Sequence, residues 1–129
     1  MKIETRFSSI NSSGKRIPAA IPFLKIKNKI LGAKYELSLA FVSPEESRKT
    51  NKEYRQKDEP ANILTFPISP SSGEILINPE KAQKDAPDFE MNFKKFLTLL
   101  FIHGCLHLKG IEHGSIMESE ETRLLSLFA

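Results

Sequence analysis

The sequence predicts an α/β or α+β domain built on a small sheet and one buried helix. Three observations carry that prediction. Short alternating or β-branched runs take turns along the chain with helix-start signals. Two caps are each followed by proline, Ser43-Pro44 and Asn78-Pro79. Between residues 93 and 108 stands a run that is apolar nearly all round a helix, the pattern of a buried element. The 129 residues, 40% hydrophobic and 27% charged, fit a single domain over residues 1–129.

Taken in order, residues 2–7 (KIETRF) alternate and predict a short strand, and residues 8–18 a polar loop. Pro22 suits the first position of a helix with the apolar face Phe23, Ile26, Ile30 and Leu31, which Gly32 can stop. Residues 35–42 (YELSLAFV) make the clearest strand. Ser43, Pro44 and Glu46 then form a capping-box start for a helix to about Arg55. After a polar loop at 56–61, Asn62 to Phe66 is expected as a strand stopped by Pro67, residues 69–73 as a turn, and Glu74 to Ile77 as another strand. Asn78-Pro79 opens a short helix, and Asp88 can cap a long one through Lys109, ended by Gly110. Ser115 and Glu118 form a second capping box for a last helix to about Phe128. The total is four strands and about five helices.

Composition narrows the function classes. One cysteine, Cys105, permits no internal disulfide, which suits a reducing compartment. The N-terminus lacks the apolar stretch of a signal peptide, and the run from Phe96 to Ile102 falls far short of the roughly 20 residues a bilayer needs. A cytoplasmic protein without membrane contact is expected. The net charge of +3 is unevenly spread: residues 1–60 carry 13 Lys/Arg against 7 Asp/Glu, residues 61–129 carry 6 against 9. A basic first half can attract a polyanion, although a charged solvated surface explains it as well.

All three histidines fall in one stretch, HGCLHLKGIEH at residues 103–113. His103 and His107 are four apart and share one helix face. Gly110 lets the chain turn, and His113 can fold back over that face. Three converging imidazoles with a fourth position left for water are how a catalytic zinc is held, and the spacing is that of the metzincin motif. Such an ion would acidify a bound water or polarise a phosphate. Zinc is expected on grounds of availability, since three histidines would also take nickel or copper. Zinc proteases place a glutamate general base after the first histidine, and here Gly104 stands there. That glycine serves either to leave room at the metal or to allow close packing of another element. Cys105 lies about 200° round the helix from His103 and belongs to the core. Glu112 beside His113 is a weak candidate for a proton acceptor, and equally a solvated loop carboxylate. Arg55 precedes a strand, where its planar fork could grip a phosphate, or simply neutralise a helix end.

These segments resemble the YbeY family of bacterial endoribonucleases. Residues 103–113 are similar to the family's HGxLHLxGxDH. Asn51, Tyr54, Arg55, Asp58 and Pro60 followed by ANILTFP resemble NxxYRxxDxPTDVLSFP, and Gly73 to Ile77 resembles GDIxI. The likeness covers about residues 35–127, while the first 34 residues match only in predicted elements. Glu112, Glu74 and Thr65 are conservative departures, whereas Ala61 and Asn62 replace threonine and aspartate and lose a carboxylate. The resemblance implies a mixed four-stranded sheet with helices around it, one zinc ion on His103, His107 and His113, and a need for Arg55 in activity. It further implies single-stranded RNA as substrate, with small-subunit ribosomal RNA, the ribosomal subunit and its assembly proteins as the working context. Two rivals stand beside a zinc-dependent endoribonuclease. One is a non-catalytic ribosome assembly factor with a structural zinc, which a closed fourth coordination position would favour. The other is a metal hydrolase on a non-RNA substrate, against which a positive groove leading to the histidines would count.

Overall fold

The computed structural model describes residues 6–129. Four strands, β1 (Phe7–Asn11), β2 (Glu36–Phe41), β3 (Ile63–Ser69) and β4 (Ser72–Ile77), form one sheet in the order β1-β2-β4-β3. β1 pairs with β2 and β2 with β4 in parallel, while β3 and β4 run antiparallel across a tight turn at Pro70-Ser71. The sheet is therefore mixed, as the sequence led us to expect. Around it stand α1 (Phe23–Leu31), α2 (Pro44–Arg55), α3 (Pro79–Asp85), α4 (Phe93–Lys109) and α5 (Ser115–Phe128), with one 3₁₀ turn at Ala86–Phe89.

Alternation along the strands decides which face is covered. Leu37, Leu39 and Phe41 of β2 stand in register with Gly73, Ile75 and Ile77 of β4, and all are buried. The helix α4 lies on this face. Phe96, Leu97, Phe101, Ile102, Cys105 and Leu106 are each 2% exposed or less, so the helix is enclosed along most of its length. Phe101 anchors it, meeting Phe23 of α1 edge-on at 5.0 Å and Phe7 of β1 at 6.2 Å. A helix apolar on nearly every side is stable only in such a place. Among the described residues, no helix is long and apolar enough to cross a membrane.

Four local expectations are corrected. The first strand lies at Phe7–Asn11, keeping only Phe7 of the predicted strand and continuing into the stretch read as loop, and residues 2–5 of the predicted strand lie outside the described residues. Parallel pairing with β2 selects this register, bringing Phe7 opposite Leu37. Pro67 does not stop β3 but sits within it, at a break in register before Ser69. This is tolerated because β3 is an edge strand, where a missing N–H costs no ladder bond. The long helix begins at Phe93, with Asn92 Oδ1 accepting from Lys95 N at 2.8 Å; Asp88 lies in the 3₁₀ turn instead. Finally, Ser115 is the first residue of α5, not its cap, and Gly114 holds the cap position without a side-chain bond. The other caps stand as expected: Ser43 Oγ accepts from Glu46 N, and Asn78 Oδ1 from Lys81 N.

The cap assignment is open to test. Asn92→Ala should lower stability to denaturant by about 1 kcal/mol, whereas Asp88→Ala should stay within about 0.5 kcal/mol of the parent. Equal losses would return the helix start to Asp88.

Candidate metal centre

The last turns of α4 carry His103 and His107 on its partly exposed side. Gly110, at φ 102°, ends the helix, its N–H donating to the carbonyls of His107 and Leu106. That backbone region penalises a side chain, which explains glycine at the bend. The chain then turns back and delivers His113. One nitrogen from each of the three rings lies within 4.8 Å of the others. The Nε2 atoms of His107 and His113 stand 3.1 Å apart, and the ring centroids are 4.5 to 5.1 Å from one another.

The donor set fits a metal ion. His103 Nδ1 donates to Glu121 Oε2 at 3.0 Å, which fixes the ring and leaves Nε2 as a lone-pair donor. Burial, together with His103, His113 and Arg55, pushes the His107 imidazole below the usual histidine range and keeps it neutral, the form that ligates. Glu121 escaped the sequence reading, because nothing in the spacing of α5 ties it to His103. Glu112, the carboxylate that adjacency suggested, is instead exposed and borders a separate depression with Gly110 and Gly114.

The three histidines border an open cleft of about 530 Å³. Its opposite side comes from the end of α2 and the loop that follows. Arg55 is the last residue of α2, and Gln56 leaves the helix in the left-handed region at φ 58°. The loop is tied back by its own motif residues. Asn51 Nδ2 donates to Glu59 O at 2.9 Å, Ser47 Oγ donates to Ala61 O at 2.7 Å and accepts from Ala61 N, and Arg48 Nε meets Asp58 Oδ1 at 2.7 Å. Arg55 and Lys57 thus line the cleft, and among the described residues neither side chain has a hydrogen-bond or ion-pair partner. Asn62, which stands where the family pattern has aspartate, donates through Nδ2 to Asp85 Oδ2 at 3.0 Å, and Asp85 also pairs with Lys81. A carboxylate therefore borders the cleft from α3, held by Asn62 and Lys81.

The two readings of Gly104 are resolved by its neighbours. A Cβ there would meet Ile75 Cδ1 at 2.9 Å, Ile63 Cδ1 at 3.0 Å and Thr65 Cγ2 at 3.3 Å. Glycine lets α4 lie close against β3 and β4. Cys105 is fully buried in the core, where desolvation raises its thiol pKa strongly.

With this geometry in place, the chain can be compared with known proteins. A family model described as Endoribonuclease YbeY matches residues 4–128. A protein named Endoribonuclease YbeY from Agrobacterium fabrum is 36% identical over 129 residues, covering 88% of this chain and 77% of its own length. One of the same name from Halalkalibacterium halodurans is 34% identical over 112 residues, 74% of this chain and 69% of its own. A solution structure from Thermotoga maritima superposes with a TM-score of 0.69 at 24% identity, covering 93% of this chain and 87% of its own, and shares the fold.

Two outcomes follow from the packing and charge of this centre. Gly104→Ala should destabilise the protein by about 1–3 kcal/mol despite alanine's helix propensity, because the added methyl overpacks the sheet contact. Combining it with Ile75→Val, which removes the crowding Cδ1, should cost less than the two single losses together. In the metal-free protein, the unfolded chain binds the His107 proton more readily than the folded one. The stability this contributes is complete above the ordinary histidine value of about 6.5 and is lost as pH falls through the lower folded value. Urea unfolding midpoints should drop over that window, and His107→Gln should flatten the drop; an unchanged slope would place the effect elsewhere.

Proposed function

The chain belongs to the YbeY family of endoribonucleases, and from that premise we propose that residues 1–129 act as one metal-dependent hydrolase domain cutting single-stranded RNA. The observation that carries the reading is the convergence of His103, His107 and His113 on an open cleft bearing Arg55 and Lys57, cations with no partner among the described residues. The three histidines hold one ion per chain, and zinc suits an all-imidazole set. When bound, the ion supplies Lewis-acid polarisation of the scissile phosphate.

The chain's own residues do the rest. Glu121 orients the His103 ring. Arg55 takes phosphate oxygens on its planar fork and offsets the charge that grows on them. Lys57 adds a second positive charge for the strand backbone. Glu59 and Asp85, the carboxylates bordering the cleft, are better placed than Glu112 to accept a proton. Peptide cleavage is disfavoured because the place of a protease's glutamate is Gly104, where any side chain collides with Ile75 and Ile63. The biological reading is maturation of the small-subunit ribosomal RNA 3′ end and ribosome quality control in the cytoplasm, in contact with the small subunit and its assembly proteins. The relatives are named as endoribonucleases, and the ribosomal setting is what the resemblance in sequence implies. The openness of the cleft beside the histidines speaks against a closed structural zinc, and Arg55 and Lys57 on its wall speak for a phosphate-bearing substrate.

The test joins metal content to RNA cleavage. The isolated protein should hold about one divalent ion per chain, and His107→Ala should lose most of it. Arg55→Ala should keep metal and fold but lower turnover of single-stranded RNA on the order of 100-fold, with Arg55→Lys recovering only part. Cleavage should stop with a chelator, and casein should stay intact. Wild-type turnover by Arg55→Ala would remove Arg55 from the reaction, and metal-dependent casein digestion would overturn the reading altogether.

A further inference from the structure

We propose that the groove between α4 and α5 is a base-binding subsite, taking an unpaired nucleobase that carries an exocyclic amine. The inference rests on the RNA reading above and goes beyond it to what the protein recognises next to the cut. The groove, about 460 Å³, has two matched walls. α4 supplies Phe96, Leu99, Leu100 and His103, and α5 supplies Glu118, Glu121, Thr122 and Leu125. Each set follows the spacing i, i+3, i+4, i+7, so each is one continuous helix face. Phe89 and Met91 contribute at the groove too, and Asn62, Ile63 and His103 border both the groove and the metal cleft. A strand lying in the cleft can therefore drop a neighbouring base into the groove without leaving the metal.

The two depressions differ in charge. The cleft is lined by three cations, Arg55, Lys57 and Lys81, against two carboxylates, Glu59 and Asp85; the described residues lining the groove include no lysine or arginine, and two carboxylates, Glu118 and Glu121. A phosphate is repelled there and an uncharged base is not. Phe89 is 54% exposed, with its ring 4.9 Å from that of Phe96 and tilted by 32°. An aromatic ring standing out of the core in this way offers its free face for stacking, the usual means of holding an unpaired base. Glu118 is exposed, and Glu121 spends one oxygen on His103, leaving the other. Carboxylates only accept, so they favour the exocyclic amino groups of adenine, cytosine and guanine over uracil, whose exocyclic groups are both carbonyls and whose one donor is the N3–H between them.

The experiment uses metal-loaded protein and a short oligoribonucleotide that it cuts at a single bond, with kcat/KM as readout. An abasic residue is placed in turn at each nucleotide flanking the cut. One position should lose about ten-fold with wild-type protein and nearly nothing further with Phe89→Leu, which keeps apolar bulk against Phe96 but has no ring. Uracil at that position should also be cut more slowly than adenine or cytosine, and Glu118→Gln should narrow the gap. Metal content and thermal midpoint of each variant confirm that the centre is intact. If the abasic penalty is the same in Phe89→Leu as in wild type, or uracil is equally good, the subsite is wrong and the nuclease reading stands. If wild-type protein cuts no single-stranded RNA, both fall.

Discussion

The close approach of α4 to the sheet at Gly104 is the contact on which the arrangement depends. A buried helix must present apolar side chains in nearly every direction, yet this one must also hold two imidazoles at the surface. The conflict is settled by pressing the helix against β3 and β4 where it has no side chain. His103 and His107 then emerge beside the β3 edge, with Ile63 and Thr65 sharing the cleft they border. A methyl at residue 104 would press on the ends of the Ile75 and Ile63 side chains, which would have to shift within the sheet contact. Packing density in an interior is high enough that such a shift is not absorbed locally.

The other side of the cleft is held by a different device. No apolar core underlies residues 56–61, which are mostly exposed. The loop is fixed by polar bonds to α2, and the buried ones matter most. Ser47 and Asn51 are 1% and 2% exposed and satisfy backbone groups of the loop, which in an interior would be costly to leave unpaired. The Arg48–Asp58 pair lies in solvent and contributes geometry more than stability. What matters for the centre is that Arg55, without a side-chain partner among the described residues, stands on a segment that is well tied down on either side.

Most of this was legible in the sequence where a single local signal decides the outcome. The Ser43 and Asn78 caps, the stop at Gly110 and the histidine spacing each depend on residues a few positions apart, and each is found where expected. Two of the failures, at the first strand and at Pro67, come from pairing partners far away in the chain. Ser8 to Asn11 look like loop until β2 is beside them, and Pro67 looks like a stop until β3 is known to be an edge. Asn92 outcompeted Asp88 because the preceding residues close a 3₁₀ turn of their own. In the candidate site the histidines and Arg55 were visible as a pattern. Glu121 and Asp85 were not, because they reach the cleft from helices whose position only the fold fixes.

Pro67 has a consequence for how the protein behaves among its own copies. β3 borders the cleft at one end and closes the sheet on that side, so its outer rim offers unpaired backbone groups beside the working surface. An uninterrupted rim would invite a strand from another molecule, and sheet extension of that kind begins aggregates. The proline ring and the register break before Ser69 spoil the repeat such a visitor would need. The same irregularity that makes the strand look shorter in the sequence therefore helps keep the protein dispersed, and the mouth of the cleft free, at high concentration.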